Sequence, residues 1–258
     1  MKVSDFVFTS ERHSEIVARL RRDGKIKVKE LSEAFEVSED LIRKDLKQLE
    51  LQGKCKRVYG GAILIPTGLE HSVYARKNVD LESKNIIAKK IYDIIEDGET
   101  IFLDISTTNL QVAHLLANGN KQCIVISNMI EILQILAKNK NITTIGTGGN
   151  VNLELNGFIG AITLSMVSRH NFDRCFIGTT GIDYKTMEMT TFDMDDGLIK
   201  DMALQNAKHT YLIMELKKFD LCGTYKFGNI KKIDCIITNA LPSTKIRNIF
   251  KKHNINMM

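Results

Sequence analysis

Between residues 9 and 64, apolar side chains recur at helical spacing in three short runs, each closed by a polar or glycine-containing break. Ser10-Glu11 opens a helix whose Ile16, Val17 and Leu20 form one face, and Asp23-Gly24 closes it. Ile26 and Val28 then alternate with lysines, the pattern of a short edge strand. Lys29 to Phe35 predicts a second helix with Leu31, Ala34 and Phe35 inward, and Glu36-Val37-Ser38 is a turn. Ser38 suits the cap of a third helix carrying Leu41, Ile42, Leu46, Leu49 and Leu51, with Gly53 as its terminator. Lys54 to Val58 reads as a basic strand that turns at Gly60-Gly61.

From Leu81 the pattern changes to strands and helices in alternation. Asp80 to Asp97 predicts an amphipathic helix closed by Gly98. T-I-F-L-D (100–104), C-I-V-I-S (123–127) and I-T-T-I-G (142–146) predict strands, separated by helices at Leu110 to Leu116 and Met129 to Ala137. R-C-F-I-G (174–178), Y-L-I-M-E (211–215) and D-C-I-I-T (234–238) continue the strands, and Asp195 to Lys208 and Ser243 to His253 supply helix. This spacing predicts a mostly parallel α/β sheet. Residues 65–80, with Pro66, Gly68 and no clear period, read as a linker. The expected organisation is therefore α/β: a winged helix-turn-helix at 9–64, a linker at 65–80, and a mostly parallel α/β domain at 81–258.

Charge sharpens the first part. The net charge of +5 is mild, and in residues 1–65 the cations exceed the anions by only three, so placement carries the argument. Arg43, Lys44 and Lys47 lie on the outer face of the third helix, and Lys54, Lys56 and Arg57 lie on the strand after it. A short helix with outward cations beside a basic hairpin suits a major groove and its flanking phosphates, so double-stranded DNA is the expected partner. Arg43 and Lys44 are expected to reach the groove, Ser38 to cap the helix, and Lys47 to lie nearer phosphate. Lys54, Lys56 and Arg57 are expected on phosphates, although alternation keeps all three from facing DNA at once. The rival reading pairs Arg43 with Glu39 or Asp45 along its own helix.

Composition excludes several classes. Five cysteines, odd in number and without C-x-x-C, read as reduced thiols of a cytoplasmic protein. The start lacks the apolar core of a signal peptide, and no run of about 18 apolar residues offers a membrane span. Six scattered histidines and the lack of H-E-x-x-H or a Walker pattern give no metal site and no cofactor.

Candidate chemistry collects at the strand ends, where ligands of open parallel sheets bind. After the first strand comes D-I-S-T-T-N (104–109), whose Ser106, Thr107 and Thr108 open a helix and favour an anion. Asn128 follows the second strand, G-T-G-G-N (146–150) with Gly148 and Gly149 the third, and G-T-T-G-I-D (178–183) the fourth. E-L-K-K-F (215–219) follows the fifth and adds cations. The set predicts a pocket for a phosphorylated metabolite: Ser106, Thr107, Thr108 and Lys218 on phosphate, Gly148 and Gly149 giving backbone room, Asn128 nearby, Asp104 and Asp183 on sugar hydroxyls, and Lys200 closing the pocket. The rival is that the hydroxyls merely cap a helix and Lys218 is solvated.

From about residue 9 to about 240 the chain resembles the DeoR family of bacterial transcriptional regulators. The resemblance rests on E-R-H-S-E-I-V-A-R-L, V-K-E-L-S-E-A-F-E-V-S-E, I-R-K-D-L-K-Q-L-E and K-R-V-Y-G-G-A, then on L-D-I-S-T-T, V-I-S-N, G-T-G-G, F-I-G-T-T-G-I-D, M-T-T-F-D and I-K-D-M-A. It implies a sensor domain related to ribose-5-phosphate isomerase, glucosamine-6-phosphate deaminase and CoA transferases, which binds a phosphorylated sugar and alters the hold on operator DNA. The chain departs from the family pattern at Leu41, Lys44, Ser106 and Glu215-Leu216-Lys217. The expected function is a repressor of a carbohydrate-utilisation operon acting as a homo-oligomer, because one small winged domain discriminates little alone. Two alternatives stand beside it: a sugar-phosphate isomerase-like enzyme, and a DNA-binding oligomer whose sensor no longer takes ligand. In the isomerase the turn at Thr180-Gly181-Ile182-Asp183 would carry two acids, and here the first is gone.

Overall fold

A computed structural model describes residues 9–51, 54–64, 72–183 and 186–258. The chain divides into two units at residues 70–71. Gly53 and residues 65–71 of the expected linker lie outside the described residues.

The first unit runs α1 (Thr9–Asp23), β1 (Lys25–Lys27), α2 (Val28–Phe35), α3 (Glu39–Leu51), β2 (Cys55–Val58) and β3 (Gly61–Leu64). Ile16, Leu20, Ile26, Leu31, Ile42, Leu46, Leu49, Cys55 and Ala62 share one core. Strand β3 lies between β1 and β2, both antiparallel to it. The Val28 N–H donates to the Gly60 carbonyl at 2.9 Å, which fastens the hairpin turn to the start of α2. Two inward assignments are corrected. Leu51 is 79% exposed, because two residues past the buried Leu49 a helix has turned through more than half a revolution. Ala34 is exposed, because Val28 and Leu31 already occupy the inward stripe of this short helix.

The second unit is built on seven strands: β4 (Thr100–Leu103), β5 (Cys123–Ser127), β6 (Ile142–Gly146), β9 (Phe172–Gly178), β12 (Ala207–Ile213), β14 (Cys235–Ile237) and β15 (Asn256–Met257). Their order is β15-β14-β12-β9-β4-β5-β6, and every pairing is parallel. Side chains alternate between two cores, as a pleated strand requires. Ile101 and Leu103 join Ile87, Ile91, Leu110 and Leu116 on one face. Phe102 joins Val167, Ile199, Ala203 and Phe250 on the other. Helices α5 (Leu81–Ile94), α6 (Thr107–Asn118) and α7 (Ile130–Leu136) thus cover the first face, and α8 (Ala161–Ser168), α9 (Met194–Gln205) and α10 (Thr244–Lys251) the second.

Three features escaped the periodicity. Residues 72–80, expected as linker, hold α4 (Val73–Lys77), whose Val73 is wholly buried in the core. Five residues are too few to show a helical repeat. A hairpin of β7 (Asn150–Asn152) and β8 (Gly157–Ile159) follows β6, and α8 follows it. A separate antiparallel sheet joins β10 (Gly181–Asp183), β11 (Glu188–Thr191) and β13 (Tyr225–Asn229), with an irregularity between Met189 and Thr190.

Candidate functional site

In the first unit the Ser38 hydroxyl accepts the Leu41 N–H at 3.3 Å, as an N-cap should. The buried face of α3 comprises Ile42, Asp45, Leu46 and Leu49, which leaves Arg43, Lys44 and Lys47 exposed on the other side. Asp45 is the unexpected member. Its carboxylate accepts from Arg12 Nε at 2.6 Å and lies 2.9 Å from His13 Nε2, so α1 clamps the middle of α3. Burial pushes the Asp45 pKa up, but the bonds to Arg12 and His13 win and hold it below the ordinary carboxylate value. Arg43 does not pair with Asp45. It pairs with Glu39 at 2.5 Å and Asp40 at 2.7 Å, all three exposed enough for the bonds to exchange with a competing anion. On the hairpin Lys54, Lys56 and Arg57 are exposed, and Arg57 Nε pairs with Glu50 at 2.8 Å. Lys44, Lys47, Lys54 and Lys56 form no salt bridge with a described residue.

In the second unit strand β4 has β5 on one side and β9 on the other, although β5 follows it directly and β9 comes much later. The connections from β4 to β5 and from β9 to β12 therefore run in opposite directions, and the crevice at the carboxyl ends of β4 and β9 is the topological switch point. Asp104 stands there, wholly buried. Its Oδ2 accepts the Gly178 N–H at 2.8 Å and its Oδ1 accepts from Asn109 Nδ2 at 2.7 Å. The Lys200 ammonium bonds Asp104 and lies 3.0 Å from Asp196, whose other oxygen accepts from Thr191 Oγ1 at 2.9 Å. Burial works against the Lys200 charge, but the two carboxylates overcome it and raise its pKa. Burial raises that of Asp196. Lys200 is thus a strut beneath the crevice, not the closing group expected from the sequence.

Above this strut the α6 N-terminus points at the crevice. The Ser106 hydroxyl accepts the Thr108 N–H at 3.2 Å, so Ser106 takes the cap, and the neighbouring Thr107 and Thr108 are nearly buried. A second group of cations closes in from α4, α5 and the 3-10 turn Leu216–Asp220. Lys218 Nζ donates to the Thr179 carbonyl at 3.0 Å, one residue past β9. Lys217 pairs with Glu215 at 2.6 Å and Asp80 at 3.1 Å. Lys84, wholly buried, donates to the carbonyls of Arg76 and Val79, both at 2.5 Å. Burial lowers the Arg76 pKa against the pull of Asp196, Glu215 and Asp104, which places its charge among theirs. Burial also pushes Lys84 and Lys218 down to about 8, the Glu215 charge notwithstanding. Arg76, Lys84, Asp196 and Glu215 were missed from the sequence. The one legible signal was the charge of Arg76 and Lys84 close to the expected start of a domain.

The remaining expected residues divide. Gly148 has φ +64° with open space where a Cβ would stand, which fits an approach to ligand. Gly149 serves packing: a Cβ there would lie 2.2 Å from Thr163 Oγ1. Asn128 is buried at the end of β5, its Nδ2 donating to the Phe158 carbonyl at 3.3 Å. Asp183 sits in the separate antiparallel sheet and accepts the Thr186 N–H at 3.3 Å, a turn-capping role. No group of His, Cys, Asp and Glu among the described residues has the arrangement of a metal site. No helix among them is long and apolar enough to cross a membrane.

Comparison with known proteins agrees with this division into a DNA-facing unit and a crevice-bearing one. Residues 12–67 match the DeoR-like helix-turn-helix domain and residues 79–240 the DeoR C terminal sensor domain. The glycerol-3-phosphate regulon repressor of Escherichia coli (strain K12) is 30% identical over 96% of this chain and 98% of its own length. The lactose phosphotransferase system repressor of Lactococcus lactis subsp. lactis is 30% identical over 88% and 90%. Ribose 5-phosphate isomerase A of Methanocaldococcus jannaschii superposes with a TM-score of 0.40 at 15% identity, over 54% of this chain and 55% of that one. With both domain families matched in order along nearly the whole chain, the protein belongs to the DeoR family of transcriptional regulators.

Proposed function

We propose that this regulator represses a carbohydrate-utilisation operon as a homo-oligomer, and that a phosphorylated sugar bound at the switch-point crevice sets its hold on operator DNA. The observation that carries this reading is the meeting of Lys218, Lys84 and Arg76 with the α6 N-terminus at one end of the sheet. Cations gathered with helix N–H groups favour a phosphate over a neutral sugar. The relatives named above, repressors of a glycerol-3-phosphate regulon and of a lactose phosphotransferase system, support the choice of ligand class. Control requires that the ligand prefer one arrangement of the subunits, since equal affinity for two arrangements shifts neither. Such a protein works in the cytoplasm, where DNA and phosphorylated sugars meet. Turnover is not part of the proposal: the turn from Thr180 to Asp183 carries one acid, and that acid accepts the Thr186 N–H.

The test is operator binding by fluorescence anisotropy, with DNA from upstream of the regulator's own gene and of the genes beside it and a panel of sugar phosphates beside their unphosphorylated sugars. Only phosphorylated compounds are expected to shift the binding curve, and none to be converted. Lys218→Met is expected to keep operator affinity and lose the response. A panel that shifts neither the curve nor the melting temperature sinks the proposal, and so does a normal response in Lys218→Met.

A further inference from the structure

The two ends of the crevice differ in chemistry. On the β9 side stand Lys218, Lys84 and Arg76. Past β4, at the ends of β5 and β6, the Lys77 ammonium is taken up by Glu131 at the start of α7, and two buried polar atoms lack partners among the described residues. Asn128 is wholly buried and Thr147 is 5% exposed. Neither Asn128 Oδ1 nor Thr147 Oγ1 has a hydrogen-bond partner among the described residues. The Asn128 amide is oriented by its Nδ2, which donates to the Phe158 carbonyl, so the unsatisfied atom is an acceptor. The two residues occupy adjacent positions. Ser127 pairs with Gly146 across β5 and β6, and the Thr147 N–H donates to the Ser127 carbonyl at 3.2 Å. Gly148 beside them leaves open space where a side chain would stand. The nook adjoins the crevice: a Cβ at Gly157 would touch both the Asn128 carbonyl and the Ile105 side chain, and Ile105 precedes the Ser106 cap.

Buried acceptors without donors are costly in a folded protein, by about 1–3 kcal/mol each, and mark places where a bound water or a ligand supplies the missing group. A phosphate dianion has no hydrogen to give to Asn128 Oδ1. A sugar hydroxyl has one, and it accepts as readily from Thr147. We propose that Asn128 and Thr147 bind the hydroxyl end of the effector, which lies across the strand ends with its phosphate toward Lys218. The inference rests on the reading of the crevice as a sugar-phosphate site and adds orientation to it.

The experiment uses the full chain and a ladder of probes: inorganic phosphate, glycerol 3-phosphate, erythrose 4-phosphate, ribose 5-phosphate, fructose 1-phosphate and fructose 6-phosphate. Dissociation constants come from calorimetry on wild type, Thr147→Val and Asn128→Ala. In wild type, affinity is expected to rise at least about tenfold from inorganic phosphate to the best sugar phosphate of the ladder, the increment of a well-made hydrogen bond in a buried site. In Thr147→Val that rise is lost while affinity for inorganic phosphate is unchanged. Thr147→Val also removes an unsatisfied hydroxyl with little change of shape, so its melting temperature without ligand is expected to equal or exceed that of wild type. That result separates a ligand contact from a structural role. Inorganic phosphate binding as tightly as every sugar phosphate, or a ladder untouched by both variants, overturns the inference and leaves the phosphate site standing. Binding of no probe at all overturns both.

Discussion

Asp104 and Gly178, 74 positions apart in sequence, are joined by a 2.8 Å hydrogen bond from the glycine N–H to the carboxylate. The glycine is required there by crowding: a Cβ would lie 2.8 Å from the Ser106 Cβ. Gly178→Ala therefore drives apart the β9 end and the α6 cap. We expect a loss of about 1–3 kcal/mol in stability, typical of overpacking, and a weakened effector response with operator affinity retained. Chemical denaturation and operator anisotropy read the two effects separately. An alanine variant as stable and as responsive as wild type would show that the contact is slack.

Recognition by α3 is predicted to involve release of Arg43 from its own helix. Its bonds to Glu39 and Asp40 are exposed, and each such pair contributes only about 0.3–0.5 kcal/mol. Arg43→Ala should cost about 1–3 kcal/mol of operator binding and relax base preference at one position. The double change Glu39→Gln with Asp40→Asn should instead tighten binding, since it frees Arg43 and removes two charges that repel DNA. Looser binding by that double variant would mean that the acidic pair positions Arg43 for contact.

On the hairpin, salt dependence is the measurement. Removing Lys54 or Lys56 should lower the slope of log affinity against log salt by about one unit if that residue meets phosphate, and alternation makes one of them neutral. Arg57, already paired with Glu50 at 2.8 Å, should change the slope less. An unchanged slope in the triple alanine variant would remove the hairpin from the interface.

Asp45→Asn tests the clamp between α1 and α3. The change takes the balancing charge from the buried Arg12 guanidinium and should destabilise the first unit by about 3 kcal/mol. The melting transition and operator affinity should fall together. Wild-type stability in Asp45→Asn would show that the pair contributes nothing net.

Effector binding should weaken above pH 8. Burial holds Lys84 and Lys218 down to about 8, below the ordinary lysine value of 10.5. Both are charged at pH 7 and lose the proton as pH rises through 8, so the attraction for phosphate goes with it. A bound anion favours the protonated forms, so binding at pH 8–9 takes up protons, which calorimetry in buffers of different ionisation enthalpy detects. The sign for folding is opposite: the cost of burying these charges is present below pH 8 and is relieved between 8 and 10.5. Affinity that stays flat from pH 7 to 10 would place the phosphate away from both lysines.

Much of this was legible in the residues, and the failures have physical causes. Periodicity located the strands at 123–127 and 142–146 to the residue: C-I-V-I-S is a buried apolar run, and I-T-T-I-G, the edge strand, is marked by its β-branched residues. It passed over α4, which is held by Val73 in the core and not by a repeat of its own. Arg76 was lost with it. Gly148 and Gly149 look alike in sequence, and only the position of Thr163 shows that one faces open space and the other a helix. Lys200 carries no mark of burial; Asp104, 96 positions away, decides it. Charges that act through distant partners are the hardest to assign from one chain.

The crevice is stitched from remote pieces, with Lys217 meeting Asp80 across 137 positions, whereas the clamp on α3 spans 33. Contacts between distant segments form late, since the chain between them has to be closed first. During synthesis the elements of the first unit therefore come together before the crevice exists, and the crevice is completed only when Lys218 leaves the ribosome. On the proposed reading, a chain cut short before that residue keeps the helix-turn-helix and lacks the group that holds the phosphate.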